Sequence, residues 1–280
     1  MLKSLISKQK GCFEHINNKT SFMKNNIIVS LFFGVVLSFN YFGCTKDKEV
    51  DCSDGKCDPV LKVNSKLKFD GQALVIGDFY KYNDTLEIRF LRVNYMFSPL
   101  TLDDTSLGDA FHFDFTNKNI NKANAELGST ILEKQINKSS SVSLSYGVGL
   151  PQKLNNSRPE DFLSTHPLSN QSLYWASWSS YIFAQFEGYV KNKNTGEELS
   201  FTYHTGGNES YKFKRIPFVK NFQPSTTNTV NINCDLRKVF SRDGVNFDIM
   251  ANLQNHATGS TAVSQYIMEN LLNAHEFILE

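Results

Sequence analysis

The chain has 280 residues, of which 40% are hydrophobic, 13% aromatic and 20% charged, with a formal net charge of +1. A chain of this length, with 23 Phe, carries enough apolar surface for a packed core and is not disordered throughout. Its 29 Lys+Arg against 28 Asp+Glu leave no overall positive field for nucleic acid, and a single short apolar run excludes multi-pass transport.

In chain order, the first feature is an address. Met23-Lys24-Asn25-Asn26 leads into the apolar run from Ile27 to Leu37, then to Phe42-Gly43-Cys44. A cationic start, a short apolar core and a small residue before a cleavage point make a secretory signal, with Met23 as the expected start. The run is shorter than the roughly 20 residues a bilayer span needs. Gly43-Cys44 resembles a lipobox, in which Cys44 is acylated and becomes the new N-terminus; the alternative is an ordinary signal peptide with an incidental Cys44. Residues 1–43 are thus assigned to a lipoprotein signal peptide, and cleavage there leaves 237 residues. The segment takes with it Lys3, Lys8, Lys10, Lys19, Lys24 and Glu14, so the mature chain holds 24 basic and 27 acidic residues and is mildly acidic.

Residues 44–60 form a charged, non-periodic stretch, expected to be a flexible tether between a membrane and the folded domain. Its Lys46-Asp47-Lys48-Glu49 is similar to the surface-export signals of Bacteroidetes lipoproteins. The expected location is the cell envelope, anchored by lipid in the outer membrane and facing the periplasm or the surface. Cys52 and Cys57 bracket Ser53-Asp54-Gly55-Lys56, a turn-prone loop in an oxidising compartment. Either a small disulfide or two unpaired thiols fits that spacing. Cys234 is expected to be a buried thiol on a strand, and no cysteine spacing suits zinc.

From residue 61 to 280 short alternating runs dominate. They include Leu61-Lys62-Val63, Leu67-Lys68-Phe69, residues 86–97, residues 142–148, residues 181–190, residues 199–203, Tyr211-Lys212-Phe213 and residues 230–236. Period-two alternation rich in Phe, Tyr, Val and Ile, broken by Asn, Asp and Gly, predicts antiparallel strands with one wet face. Asn192-Lys193-Asn194-Thr195-Gly196 predicts a hairpin turn. The architecture expected is an all-β antiparallel sandwich forming a single domain. A short C-terminal helix is expected to start at Ser260 or Thr261 and to present Val263, Tyr266, Ile267, Leu271, Ala274 and Ile278 on one face.

The signatures of common enzymes are missing: there is no GxGxxG, P-loop, GxSxG or HExxH, and no carboxylate pair stands out. No catalytic residue is assigned and no enzymatic activity is expected. What remains is histidine and tryptophan in loops marked by glycine or proline. His204 sits in Tyr203-His204-Thr205-Gly206-Gly207, His166 in Thr165-His166-Pro167, and His256 in Asn255-His256-Ala257. Neutral imidazoles brought to one rim would suit copper or zinc; taken singly, each reads first as an ordinary surface or ligand-supporting histidine. Trp175 and Trp178 are three apart beside Tyr174 and Tyr181, as core anchors or as an exposed platform for sugar rings. His112 alternates on a strand as a satisfied sheet residue, and His275 falls in the last helical turn, where a cation suits the dipole.

The order of these segments resembles the MbnP-like family of periplasmic copper-binding proteins over about residues 61–280. Residues 91–98 look like the family's early strand, Phe111-His112-Phe113-Asp114 like its aromatic-x-aliphatic-Asp segment, and Leu144-Ser145-Tyr146-Gly147-Val148-Gly149 like its Phe-Gly-x-Gly ending. Leu173-Tyr174-Trp175-Ala176-Ser177-Trp178 followed by residues 181–188 is similar to a Met-Tyr-Trp-x-Trp core leading to Leu-Glu-Gly, with Leu173 in place of Met and Ser179-Ser180 where glycine is usual. Tyr203-His204-Thr205-Gly206-Gly207 matches an aromatic-His-x-Gly-Gly signature, and Asn255-His256 the family's closing histidine. The resemblance implies a non-catalytic copper-binding lipoprotein that buffers or delivers copper in the envelope. His204 and His256 would be ligands, His166 a further candidate, and Trp175 and Trp178 neighbours of the metal. It also implies a dihaem partner of the MauG kind that oxidises a tryptophan. The residues alone leave a second function open: a glycan- or protein-binding module built on the Trp/Tyr-rich loop.

Overall fold

A computed structural model describes residues 58–258 and 261–280. The signal segment, Cys44, Cys52, Cys57 and nearly all of the tether lie outside the described residues. Most of the structure is strand. In chain order the longer ones are β1 (Val60–Phe69), β2 (Leu86–Leu102), β3 (Phe111–Asp114), β4 (Ser129–Gln135), β5 (Ser140–Val148), β6 (Ser180–Asn192), β7 (Glu198–Gly206), β8 (Lys212–Asn221), β9 (Thr227–Asp235), β10 (Gln254–Thr258) and β11 (His275–Leu279). The hairpin expected at Asn192–Gly196 joins β6 to β7, with Gly196 at φ 74°, a left-handed position that glycine takes without steric cost.

Two sheets face each other. One runs β11-β9-β1, with β4 also on β1; the other runs β8-β5-β2-β6-β7-β10, with β3 on β2 and the two-residue strand Tyr174–Trp175 on β6. The alternation in β1 is strict: Leu61, Val63, Leu67 and Phe69 are buried while the lysines between them face out. Rings from both sheets meet in the core. Phe69 packs on Phe90 at 6.0 Å, and His275 and Phe277 of β11 pack on Tyr146 at 5.7 and 4.8 Å. This is a β-sandwich, as the alternation predicts.

Three features depart from the expectation. Two strand pairs, β1 with β9 and β7 with β10, are parallel; the second of these builds the site described below. The C-terminal helix spans Ala262–Asn273 with Thr261 as its N-cap, and the chain then returns as β11 rather than continuing as helix to Ile278. Pairing of His275–Leu279 along the free edge of β9 satisfies a row of backbone groups that a longer helix would leave open. His275 is therefore a buried core residue, not a helix-end cation. Among the described residues no helix is long and apolar enough to cross a membrane.

Candidate functional site

The site grows from register. β10 lies parallel to β7 with His256 opposite His204, and β7 lies antiparallel to β6 with His204 opposite Gln185. Gln185 in turn faces Asn94 of β2, so Asn94, Gln185, His204 and His256 form one polar rung across four strands. Arg92, Glu187, Thr202 and Gln254 form the next rung, because side chains two apart share a face. A bulge in β2 sets this phase: Glu187 pairs with Arg92, whereas Gly188 pairs with Phe90, leaving Leu91 as the extra residue.

The neighbours of the two histidines lock the outward direction. Thr205 and Asn255 point inward and are buried. Thr205 donates to Met268 Sδ, while Asn255 Nδ2 donates to Ser264 Oγ at 2.9 Å and its Oδ1 accepts from Thr261 Oγ1 at 2.9 Å. The start of the C-terminal helix thus clamps β10, and alternation turns His204 and His256 to the other face. Their rings stack with centroids 4.6 Å apart and planes within 1° of parallel.

Above the pair sits Trp175, edge-on to His204 at 6.1 Å and to His256 at 5.9 Å. Trp178 stacks on Trp175 at 4.3 Å. Both indoles are half-buried, so they are neither core anchors nor a free platform. Between Trp178 and Ser180 the chain turns through Ser179 at φ 50°, a left-handed position where glycine fits best. Gly206 gives the loop its seat: a Cβ there would meet the Tyr181 carbonyl oxygen at 2.7 Å and Trp178 Cε3 at 3.3 Å.

The electrostatics of the two imidazoles differ. The His204 side chain is 12% exposed, and its Nε2 lies 2.7 Å from Glu187 Oε1. Arg92 Nη1 donates to the same oxygen at 3.0 Å. Burial holds the His204 imidazole below the ordinary histidine range against the pull of Glu187, and His256 and Arg92 add to the lowering. His204 Nδ1 is buried and has no hydrogen-bond partner. His256, by contrast, is exposed.

His166 is placed differently. Its Nδ1 accepts from the Leu168 N–H at 3.1 Å, its Nε2 lies 3.3 Å from Asp109 Oδ1, and its ring stacks on Phe162 at 4.5 Å. Both nitrogens are engaged locally, so no lone pair remains for a metal. His112 is not the satisfied sheet histidine expected, for its Nε2 is buried without a partner. Among the described residues no three His, Cys, Asp or Glu side chains gather in a metal-holding group. What the geometry offers a metal is two adjacent imidazoles, one with an unused buried nitrogen. Stacked as they stand, the rings keep their in-plane lone pairs in parallel planes; sharing one ion requires the exposed His256 ring to turn.

Glu187 and Arg92 are the residues that sequence reasoning missed. A signal existed: Gln185 and Glu187 are polar at a two-residue interval in the run of residues 181–187, otherwise made of Tyr, Ile, Phe and Ala, which marks the outer face of β6.

A family model described as MbnP matches residues 59–261. Among solved structures, MbnP from Methylosinus trichosporium is similar at 16% identity and a TM-score of 0.41, over 73% of this chain and 81% of that one. A comparison with curated proteins finds no match.

Proposed function

Because the chain belongs to the MbnP family, we propose that it is a copper-binding protein of the cell envelope that buffers or delivers the metal without catalysis of its own. The observation that carries this reading is the His204–His256 pair, with an unpartnered buried nitrogen on His204. Imidazole suits copper, and when bound the ion would supply a soft, redox-capable centre. His204 and His256 would hold it, and Trp175 would screen one side from water. The half-buried Trp175–Trp178 stack is the surface a dihaem partner of the MauG kind would address. Lipid attachment at Cys44 would keep the protein on the outer membrane.

Copper titration of the 44–280 product with metal analysis tests the reading. A stoichiometric site of sub-micromolar affinity, lost in His204→Ala, is expected; no such site, or one indifferent to that substitution, contradicts it. The accessible part of the same half-buried indole stack supports a second reading, glycan binding. Tryptophan fluorescence that responds to oligosaccharide but not to copper would select it.

A further inference from the structure

Glu187 stands between a guanidinium and an imidazole, with both donors directed at one oxygen, Oε1. We propose that Glu187, braced by Arg92, is a positioning residue that holds the His204 proton on Nε2 and so leaves Nδ1 as the donor atom toward a metal. The donor assignment rests on the copper reading above; the tautomer does not.

A neutral imidazole carries one N–H, and an ionised carboxylate can only accept. At 2.7 Å, His204 Nε2 and Glu187 Oε1 form a hydrogen bond only if the proton sits on Nε2. The opposite tautomer sets two lone pairs against each other at that distance and buries an N–H at Nδ1 with nothing to receive it. Arg92 Nη1 donates to the same Oε1 at 3.0 Å and holds the carboxylate turned toward the ring. The lone pair on Nδ1 is then the feature that protein atoms leave unused.

Comparison within the molecule sharpens the assignment. His166 also meets a carboxylate through Nε2, but its Nδ1 lone pair is spent on the Leu168 N–H. His275 has an unpartnered Nδ1 too, yet it is sealed in the core behind Tyr95. His204 alone of the three joins a carboxylate-fixed ring to a buried, unpartnered nitrogen beside the exposed His256 ring. A histidine that ligates a metal commonly gives its other N–H to a carboxylate, which orients the ring and raises its basicity.

Two readouts on the full chain test this. Long-range proton–nitrogen NMR of the metal-free protein should show His204 protonated at Nε2 and bare at Nδ1. Glu187→Gln keeps an acceptor and should preserve that tautomer; Glu187→Ala should shift the ring toward Nδ1–H or a mixture, while His166 keeps its spectrum as an internal check on folding. Copper(I) affinity, read by competition with a chromophoric chelator, should fall about 10–100-fold in Glu187→Ala and less in Glu187→Gln. A wild-type ring protonated at Nδ1, or a tautomer unmoved in Glu187→Ala, overturns the proposal. The stated tautomer without any copper uptake overturns the copper reading, and the donor assignment with it, while control of the ring by Glu187 stands.

Discussion

At the scale of single residues, the site is defined by what each polar atom has for a partner. His204 has one nitrogen tied to Glu187 and one free, whereas His166 has both engaged. Residue spacing does not show this difference, because the carboxylates that meet the rings lie far along the chain: Glu187 is 17 positions from His204, and Asp109 is 57 from His166. Ser179 gives a prediction at this scale. Its left-handed φ of 50° costs an L-residue about 1–2 kcal/mol. Ser179→Gly relieves that cost but loosens the unfolded chain, so a net gain of about 0.5–1 kcal/mol is expected. Chemical denaturation measures it, and a loss of stability would show that the Ser179 side chain holds the turn in a way its backbone does not reveal.

At the scale of elements, the apolar strands were legible and the polar ones were not. β1, β2, β5, β6, β7 and β9 announce themselves through alternation, since one buried face needs one apolar residue in two. β10 reads Gln-Asn-His-Ala-Thr and has no such pattern; its place comes from the clamp of Asn255 on Thr261 and Ser264. The meeting of His204 with His256 follows from that parallel pairing, which residue spacing does not encode. β11 was hidden because His275 and Ile278 also fit a helical face. Pairing of β2 with β6 carries its own test at Gly188, beside the bulge. A Cβ there would sit 1.9 Å from the Arg89 carbonyl oxygen. Gly188→Ala should therefore cost about 1–3 kcal/mol, and, by shifting Glu187 against Arg92, weaken copper binding as well. A variant of unchanged melting temperature would mean that the strands part at the bulge more readily than their pairing implies.

At the scale of the whole molecule, the sandwich interior holds groups that tie stability to pH. His275 is buried, with Nε2 2.9 Å from the Tyr95 hydroxyl and rings of Tyr95, Phe97 and Tyr146 around it. Desolvation pulls its pKa from 6.5 down to about 3. The folded state thus binds fewer protons than the unfolded one between those values. The contribution is fully present above about pH 6.5 and is lost as pH falls toward 3, with a slope of up to about 1.4 kcal/mol per pH unit. Denaturation at pH 7, 5.5 and 4.5 should show His275→Gln losing less stability on acidification than the natural chain; parallel curves would contradict this. Cys234, also in the core, has its thiol pushed up to about 12 by burial. It should resist alkylation in the folded protein at pH 8 and react only after unfolding, as site-resolved mass spectrometry would record.

The central proposal is that the stacked His204–His256 pair holds the copper. X-ray absorption of the copper-loaded 44–280 protein, compared with His204→Ala and His256→Ala, tests this most directly. Imidazole scattering at the metal is expected in the natural chain, halved or lost with its copper in each variant. Copper held at full occupancy with unchanged imidazole scattering in both variants would place the metal elsewhere in the molecule and contradict the assignment.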